Sequence, residues 1–424
     1  MRSRWKFQVV NLLLSLLVLG VLFAASGCSV FQPALPTQTP ALPPTLTPQP
    51  SATPLPPTPT ATPTNEPLYL DATVLSFDAQ VPILIYHHFI PDRLGETNSM
   101  KMTLTEFKNE LTKFYDNGFA LVSLREWIDG TYELPAGKKP LIITIDDLWF
   151  GDQLFIGEDG TPSEYSGLGL LYQFSQEHPD FRFHAATFAV YGDKYYAVKQ
   201  VGDQFYTEDD ATWTSPAWRQ KLGTTIAWAI DNGIEVYNHT LLHRLTEISD
   251  AEIHRQLWEN DWILRDLLGE VGREDLIPGL ENIIALPEGK WPETYSGKNE
   301  VLNYKDPEGL PVKAVLEAYN LDSAQFTPSF FSPQFNPYAI LRITASPYFV
   351  DYILQNQSTI APAVNCRLGP LDPAGAENAD VLQSLIRDAV TNDTCSQGVY
   401  HVNGYIFTAR PDGVELFRDQ QAEN

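Results

Sequence analysis

The chain is poor in cysteine and in positive charge. Its 424 residues include only 3 cysteines, and no two of them form a C-x-x-C pair. This excludes a disulfide-rich scaffold and disfavours a thiolate zinc site or a thioredoxin-type redox centre. Lys and Arg number 28 against 53 Asp and Glu, which gives a formal charge of −25. That balance argues against DNA, RNA or anionic lipid as the main partner, because such partners need a basic surface.

The first 28 residues are typical of an export signal. Basic residues at the start precede an apolar run, Val9–Phe23, which ends in small residues up to Cys28. Small residues before a cysteine resemble the lipobox of bacterial lipoproteins, in which the cysteine is diacylated, although Ala25 stands where Leu is usual. The resemblance implies an exported protein, lipid-anchored through Cys28 to the outer face of the bacterial cell membrane, or secreted. A plain signal peptide or an uncleaved anchor is the alternative, and both leave the rest of the chain outside the cytoplasm.

A proline-rich segment, residues 29–67, follows the signal. From Pro33 to Pro67 it holds 13 of the 33 prolines, and no Lys or Arg occurs between residues 7 and 92. Proline at this density prevents helix and sheet and favours extended polyproline II. We therefore predict a disordered, semi-rigid tether with a contour on the order of 100 Å.

Two cysteines remain beyond the signal, Cys366 and Cys395. In an oxidising compartment we expect one disulfide between them, which closes a loop of roughly 30 residues. Two unpaired thiols are the alternative.

Over the whole chain the composition, 43% hydrophobic and 12% aromatic, is that of a folded protein, and we expect the folded part to begin at about residue 68. Short apolar runs alternate with amphipathic helices, such as one that begins with the capping box Thr103-x-x-Glu106. The pattern predicts an α/β fold, a parallel sheet or barrel of about seven strands over residues 68–345, followed by a small disulfide-stapled extension, 346–424. The candidate strands are Pro82–His87, Phe119–Leu124, Pro140–Asp146, Ala185–Val190, Ile234–His239, Asn282–Pro287 and Val312–Ala318.

Ionisable residues follow three of these strands, and the carboxyl ends of parallel strands share one rim. The first strand ends at His87-His88, the third at Asp146-Asp147, and the fifth runs into His239-Thr240-Leu241-Leu242-His243. Two histidines four residues apart face the same way on a helical turn, and with a carboxylate they make a donor set typical of catalytic zinc. Asp146 and Asp147 point in opposite directions if both continue the strand, so one can bind metal while the other handles a proton.

These motifs resemble the polysaccharide deacetylases, the NodB-homology fold of carbohydrate esterase family four. Thr144-Ile145-Asp146-Asp147 is similar to the family's T-F-D-D motif, and His239–His243 matches its H-[ST]-x-x-H motif. Pro82–His88, Ala186–Phe188 and Ile284–Gly289 resemble further family segments, in order, over residues 80–345. The resemblance implies a distorted (β/α) barrel of about seven strands.

The resemblance also implies roles for site residues. Asp147, His239 and His243 would bind a divalent metal, usually zinc, with cobalt or nickel as alternatives. Asp146 would be the general base that takes the proton of the attacking water. In a permuted subgroup, which includes de-N-acetylases of poly-N-acetylglucosamine, the general acid is the histidine of an N-terminal Tyr-His, here His87. If His87 is not the general acid, His88 is the next candidate. The alternative for His87 is a purely structural contact with the backbone. His401 lies in the C-terminal extension and is a weak candidate for the general acid.

The sequence departs from the family pattern at several positions. Leu148 replaces the Gly after T-F-D-D, which suggests a bulkier rim together with Trp149 and Phe150. The arginine that normally orients the catalytic Asp is Ala285 here, and Glu288 replaces a Tyr. Arg342 is a candidate for the missing charge, although a structural salt bridge is the preferred interpretation.

Two aromatic insertions, residues 148–183 and 191–213, could line a glycan groove or pack within their own loops.

We expect hydrolysis of N-acetyl groups on an extracellular or cell-wall amino-sugar polysaccharide, so an acetylated glycan is the predicted partner. The alternatives are an O-acetyl esterase on a wall glycan and a non-catalytic glycan-binding lipoprotein with a degenerate fold. A glycoside hydrolase that uses two carboxylates is disfavoured, because that mechanism does not need the two histidines of the H-T-x-x-H motif.

Overall fold

The computed structural model describes residues 67–148, 151–192, 198–207, 215–319 and 326–421. The predicted export signal with Cys28, nearly all of the tether, and Trp149 and Phe150 lie outside these residues. The helices are α1 Leu104–Asp116, α2 Leu124–Ile128, α3 Gly167–Glu177, α4 Pro216–Asp231, α5 Asp250–Glu270, α6 Tyr295–Leu302, α7 Pro347–Gln355 and α8 Ala379–Thr391. The strands are β1 Leu68–Leu75, β2 Gln80–Val81, β3 Ile83–Tyr86, β4 His88–Ile90, β5 Lys101–Thr103, β6 Phe119–Leu121, β7 Lys139–Leu148, β8 Ala185–Ala189, β9 Val198–Val201, β10 Gln204–Thr207, β11 Ile234–Asn238, β12 Ile283–Ala285, β13 Ala314–Tyr319, β14 Thr327–Pro328, β15 Ile340–Thr344, β16 Val364–Leu371, β17 Gly398–Val402, β18 Tyr405–Arg410 and β19 Gly413–Asp419.

Seven parallel strands close into a barrel, which confirms the predicted fold class. Their order is β3-β15-β13-β12-β11-β8-β7, and β7 pairs back to β3. Every pairing around the ring is parallel, so the carboxyl ends of all seven strands lie at one end of the barrel. Strand residues buried on both faces explain the nearly continuous apolar runs in the sequence.

The identity of one barrel strand differs from the prediction. Phe119–Leu121 is a strand, but it pairs only with the first residues of β7 and lies outside the ring. The seventh ring strand is β15, Ile340–Thr344, between β13 and β3. Its sequence, Ile-Leu-Arg-Ile-Thr, carries a charged residue in the middle, and that charge breaks the apolar run by which the other strands were recognised.

The helices begin and end largely where their capping signals predict. The Thr103 hydroxyl accepts the Glu106 backbone N–H at 3.2 Å at the start of α1, and its apolar residues Phe107, Leu111 and Phe114 are fully buried. In α5 the apolar residues Ile253, Leu257 and Leu267 are buried, whereas Trp258 is 39% exposed. No helix among the described residues is both long enough and apolar enough to span a membrane.

The C-terminal part forms a separate antiparallel sheet in the order β16-β1-β17-β18-β19. Its first strand in the chain, β1, had been predicted to belong to the barrel domain, but it pairs with β16 and β17 instead. One face of the sheet packs against α8, with Leu382 and Ile386 fully buried. The predicted disulfide between Cys366 and Cys395 is present and joins β16 to the segment after α8.

Candidate active site

Asp146 and Asp147 lie in an irregular part of β7 at the carboxyl end of the barrel. The β7–β8 register shifts between Ile145 and Leu148, and Asp147 has a φ of 61°. This is a β-bulge, a feature that redirects side chains. Strict alternation therefore fails here: both carboxylates come within 4 Å of the same histidine nitrogen, Nε2 of His239, at 3.7 Å for Asp146 and 3.6 Å for Asp147.

Arg342 of β15 holds the carboxylate of Asp146 inside the barrel. Its two terminal nitrogens donate to the two carboxylate oxygens at 2.6 and 2.9 Å, and one of them also donates to the Thr144 hydroxyl at 3.1 Å. The guanidinium is fully buried and lies 5.0 Å from the ring centroid of Phe188. Because a guanidinium matches a carboxylate in this two-point geometry, Arg342 fixes the orientation of Asp146. The charge that seemed missing at Ala285 is thus supplied from another strand.

The pKa of Asp146 reflects this pairing. Burial of the carboxyl would raise its pKa, but Arg342 and then His239 more than offset burial and hold the pKa at about 2. Asp146 is consequently ionised at neutral pH.

The segment His239–His243 is shaped by a buried asparagine. The side-chain oxygen of Asn238 accepts the backbone N–H of Thr240 at 2.7 Å, and Thr240 has a φ of 69°. The hydroxyl of Thr240 accepts the backbone N–H of Arg244 at 3.0 Å. Asn260 of α5 donates to the Asn238 oxygen at 3.0 Å and fixes it in turn. The turn that presents both histidines is therefore anchored to the helix behind it.

Asp147, His239 and His243 form a group whose candidate ligand atoms all lie within 4.8 Å of one another. The Asp147 carboxylate lies 3.5 Å from Nε2 of His243. His239 Nδ1 lies 2.9 Å from the carbonyl oxygen of Ala285, so this nitrogen donates and Nε2 keeps its lone pair for a ligand role. Burial lowers the pKa of His239, which favours the neutral ring that metal binding requires. Two imidazoles and one carboxylate with neighbouring open space fit a divalent metal such as zinc.

His87 and His88 have different surroundings. His87 lines the same cleft as the two aspartates, and its Nδ1 is buried without a hydrogen-bond partner among the described residues. His88 instead bonds through Nδ1 to Asp152 at 3.0 Å. Burial lowers the pKa of His87, whereas the hydrogen bond and charge of Asp152 outweigh burial and raise that of His88. Of the two candidates, His87 lines the same cleft as Asp147, His239 and His243, and His88 is not in that lining.

One supporting residue was missed by the sequence analysis. The buried side chain of Gln153 donates to the backbone oxygens of His87 at 2.8 Å and Asp146 at 2.9 Å. It thereby ties the carboxyl ends of β3 and β7 together. A single glutamine in a loop carries no sequence signal that could have revealed this role.

The departures from the family pattern have structural explanations. Leu148 is fully buried opposite Ala189 of β8, so the prediction that it builds a bulkier rim was wrong. The carbonyl oxygen of Ala285 accepts the hydrogen bond from Nδ1 of His239. Glu288 lies on the rim and pairs with Lys290 at 2.6 Å. Gly289 has a φ of 66°, and a Cβ there would meet the backbone nitrogen of Ala318 at 2.4 Å, so glycine is required.

The site opens into a cleft of about 560 Å³. Its lining includes His87, Asp146, Asp147, His239 and His243, so the predicted metal-binding and catalytic residues converge on one space. A cleft of this size can admit a substrate of small-molecule dimensions. His401, in β17, lines a different cavity.

The aromatic residues of the first insertion mostly pack within their surroundings. Phe174 is buried in the core, and Tyr172 contacts the rings of Phe183 and Trp228 at 5.3 and 5.7 Å. Tyr165, 37% exposed, is the exception among those described. These contacts favour the interpretation that the aromatics stabilise their own loops.

No protein-family model and no curated protein matches the chain. Solved structures with similarity include a deacetylase from Streptococcus pyogenes in complex with acetate, 17% identical, with a TM-score of 0.41 over 67% of this chain and 100% of that one. A polysaccharide deacetylase from Bacillus cereus is 14% identical, with a TM-score of 0.40 over 68% and 71%. A de-N-acetylase from Aggregatibacter actinomycetemcomitans is 10% identical, with a TM-score of 0.40 over 65% and 99%. Since all three TM-scores lie below 0.5, the assignment of the site rests on its own geometry.

Proposed function

We propose that the protein is a metal-dependent hydrolase that removes N-acetyl groups from an amino-sugar polysaccharide. The observation that carries the proposal is the metal-binding group Asp147, His239 and His243 beside the oriented carboxylate of Asp146. The sequence motifs that resemble polysaccharide deacetylases supply these same four residues, so motif and geometry support one reaction.

A divalent metal held by this group would polarise the acetamide carbonyl, lower the pKa of a water molecule and stabilise the oxyanion. Zinc suits the donor set best. The other roles fall to the chain itself. Asp146, ionised and held by Arg342, would accept the proton of the attacking water. His87, which lines the same cleft, would protonate the leaving amine. Because burial lowers its pKa, the ring is neutral at rest and would first take from solvent the proton that it donates.

The pairing of Arg342 with Asp146 also bears on the non-catalytic alternative. A degenerate binding protein has no need for a buried guanidinium that fixes one carboxylate beside a metal site. Burying such a pair costs desolvation energy, which packing with apolar residues would avoid. The arrangement therefore favours an enzyme over a glycan-binding protein with a decayed site.

Acetate release tests the proposal. The purified protein, loaded with zinc or cobalt, should release acetate from chitooligosaccharides or peptidoglycan, and Asp146→Asn should abolish release. Asp180→Asn, which changes a surface ion pair with Lys138, serves as the matched control. If the protein retains metal but releases acetate from no acetylated glycan, the binding interpretation replaces ours. Release from O-acetylated xylan alone would identify an esterase.

We further propose that the enzyme acts outside the cytoplasm, anchored by lipid on Cys28. The support is the sequence of residues 1–28 and the Cys366–Cys395 disulfide, since structural disulfides persist in oxidising compartments. Metabolic labelling with a fatty-acid analogue, lost in Cys28→Ser, is the direct test.

A further inference from the structure

A cavity of about 480 Å³, which we call the junction cavity, is lined jointly by the C-terminal sheet and the barrel domain. The sheet contributes residues of β1, β17 and β18. The barrel domain contributes residues 133–135, in the segment before β7, and Pro179 and Arg182, in the segment before β8. Segments that lead into parallel strands lie at the amino end of a barrel, so the junction cavity is remote from the catalytic cleft, with which it shares no lining residue.

His401 of β17 lines the junction cavity with hydrogen-bonding groups that the chain does not satisfy. Its side chain is buried, with 8% of the residue exposed, and neither ring nitrogen has a hydrogen-bond partner among the described residues. Burial lowers the pKa of His401 to about 4, so the ring is neutral at pH 7 and offers one donor and one acceptor. Because buried polar groups nearly always have partners, these two nitrogens indicate a partner from outside the chain.

Charges of both signs line the same cavity. Asp71 of β1 and Glu133 carry carboxylates, and Arg182 carries a guanidinium. None of the three forms an ion pair with another described residue, and the Arg182 side chain donates to the backbone oxygen of Glu133 rather than to a carboxylate. In a chain with 53 Asp and Glu against 28 Lys and Arg, an arginine without an acidic partner is unexpected. The opposite charges are therefore held apart and remain available to a ligand.

This lining discriminates among classes of ligand. An anion would be attracted by Arg182 but repelled by Asp71 and Glu133, and for a simple cation the attractions are reversed. The acidic side chains and His401 do not come close enough together to form a metal-binding group. An apolar molecule would leave every polar group unpaired.

A molecule with both an ammonium and a carboxylate group satisfies charges of both signs, through charge-assisted hydrogen bonds that a neutral polyol cannot make at both partners. An amide has one N–H donor and one C=O acceptor, which match the acceptor and the donor of the neutral His401 ring. A short peptide with free ends combines all of these groups. The cavity volume lies within the range of small-molecule sites, about 300–1,000 Å³.

We propose that the junction cavity binds a short peptide with free amino and carboxyl ends. Asp71 and Glu133 receive the ammonium group, Arg182 binds the carboxylate, and His401 bonds to a backbone amide between them. The inference does not depend on the proposed function. It adds a peptide-binding site at the end of the barrel opposite the catalytic cleft.

Calorimetry with the purified protein tests the inference, after dialysis against EDTA so that peptide ends cannot bind a metal. The probes are trialanine, N-acetyl-trialanine amide, which has the same side chains without the end charges, and maltotriose, a neutral polyol. We expect trialanine to bind about tenfold or more tightly than either of the others. Arg182→Gln and Asp71→Asn should each weaken trialanine binding about threefold to tenfold. Arg387→Gln, an exposed change on α8 outside the lining, is the matched control and should bind like the wild type.

Equal affinities for the free and the capped peptide would overturn the inference, as would unchanged trialanine binding in both lining variants. Tighter binding of maltotriose than of trialanine would overturn it too and assign the cavity to a polyol. Circular dichroism checks that each variant is folded. If Arg182→Gln does not fold, the comparison of the three probes and the exposed substitution Asp71→Asn still decide the question.

Discussion

Arg342 and Asp146 are 196 residues apart in the chain, yet the guanidinium of one forms two hydrogen bonds, at 2.6 and 2.9 Å, with the carboxylate of the other. The two strands that carry them, β15 and β7, both flank β3 in the barrel ring. The contact crosses the interior of the barrel, so closure of the ring is what creates it.

The first prediction concerns this pair. Arg342→Lys keeps a positive charge but loses the two-point geometry, so we expect kcat to fall by roughly 10–100-fold, as when other groups that orient active-site ligands are removed. Metal content, measured by mass spectrometry, should stay unchanged because Arg342 is not in the ligand group. Arg342→Met is less informative, since an unpaired buried charge costs about 3–5 kcal/mol of stability. Wild-type kcat in Arg342→Lys would show that the pair is merely structural.

The second prediction separates the two histidine ligands. Removing a group that only orients a ligand weakens metal binding roughly 10–100-fold, so both His239→Asn and His243→Asn should lose at least that much zinc affinity. Their effects on the metal-free protein should differ, because the side chain of His239 is 2% exposed and that of His243 is 37% exposed.

In His239→Asn the Ala285 carbonyl loses its hydrogen bond, so the free energy of unfolding should fall by about 1–3 kcal/mol. In His243→Asn it should change by less than about 0.5 kcal/mol, since asparagine tolerates the positive φ at this position. Urea unfolding in EDTA measures both values. Equal stability losses in the two variants would contradict the assignment of His239 as the buried, structurally anchored ligand.

The third prediction is a pH dependence of stability. Glu110 of α1 is fully buried, where burial raises its pKa from 4.5 to about 8 despite a 2.8 Å hydrogen bond from the Tyr86 hydroxyl. The folded protein therefore keeps this proton at pH values where the unfolded chain has released it. Stability should fall as pH rises from 4.5 to about 8, by up to about 1.4 kcal/mol per pH unit.

Glu110→Gln keeps an acceptor for Tyr86 but has no proton to lose, so it should remove this part of the slope and exceed the wild type in stability at pH 8. Urea unfolding at pH 5, 6, 7 and 8 would measure the slope. Glu177→Gln, an exposed change on α3, is the matched control. A wild-type slope in Glu110→Gln would mean that Glu110 is ionised in the folded state.

The sequence predicted those parts of the site that lie within short motifs. Asp146, Asp147, His239 and His243 were recognised because they follow strand ends together and match two family motifs, and the structure brings them together. Arg342 was recognised only as a candidate, because its role depends on which strands flank β3. The prediction that Leu148 lies on the rim was wrong. A bulge in β7 changes the direction of its side chains, and the alternation of residues along a strand does not reveal a bulge.

The fold prediction failed where the answer depends on which strands pair or on an interrupted apolar run. Apolar runs located six of the seven ring strands, but β15 was missed because Arg342 interrupts its run. Phe119–Leu121 has the expected composition, and only hydrogen-bond partners exclude it from the ring. The assignment of β1 to the C-terminal sheet likewise depends on pairing with residues about 300 positions away, such as Ala72 with Cys366.

The last prediction concerns that C-terminal sheet. The Cys366–Cys395 disulfide spans a sequence separation of 29, and closure of such a loop should contribute about 3–4 kcal/mol in the chain-entropy model. Cys366→Ala/Cys395→Ala should therefore increase hydrogen exchange in β16 and α8, whose contact the disulfide reinforces, while the barrel strands β7 and β11 stay protected. Because the proposed metal ligands Asp147, His239 and His243 lie in the barrel domain, zinc content should be the same in the variant and the wild type. Equal loss of protection in β16 and β7 would show instead that barrel and sheet unfold as one cooperative unit.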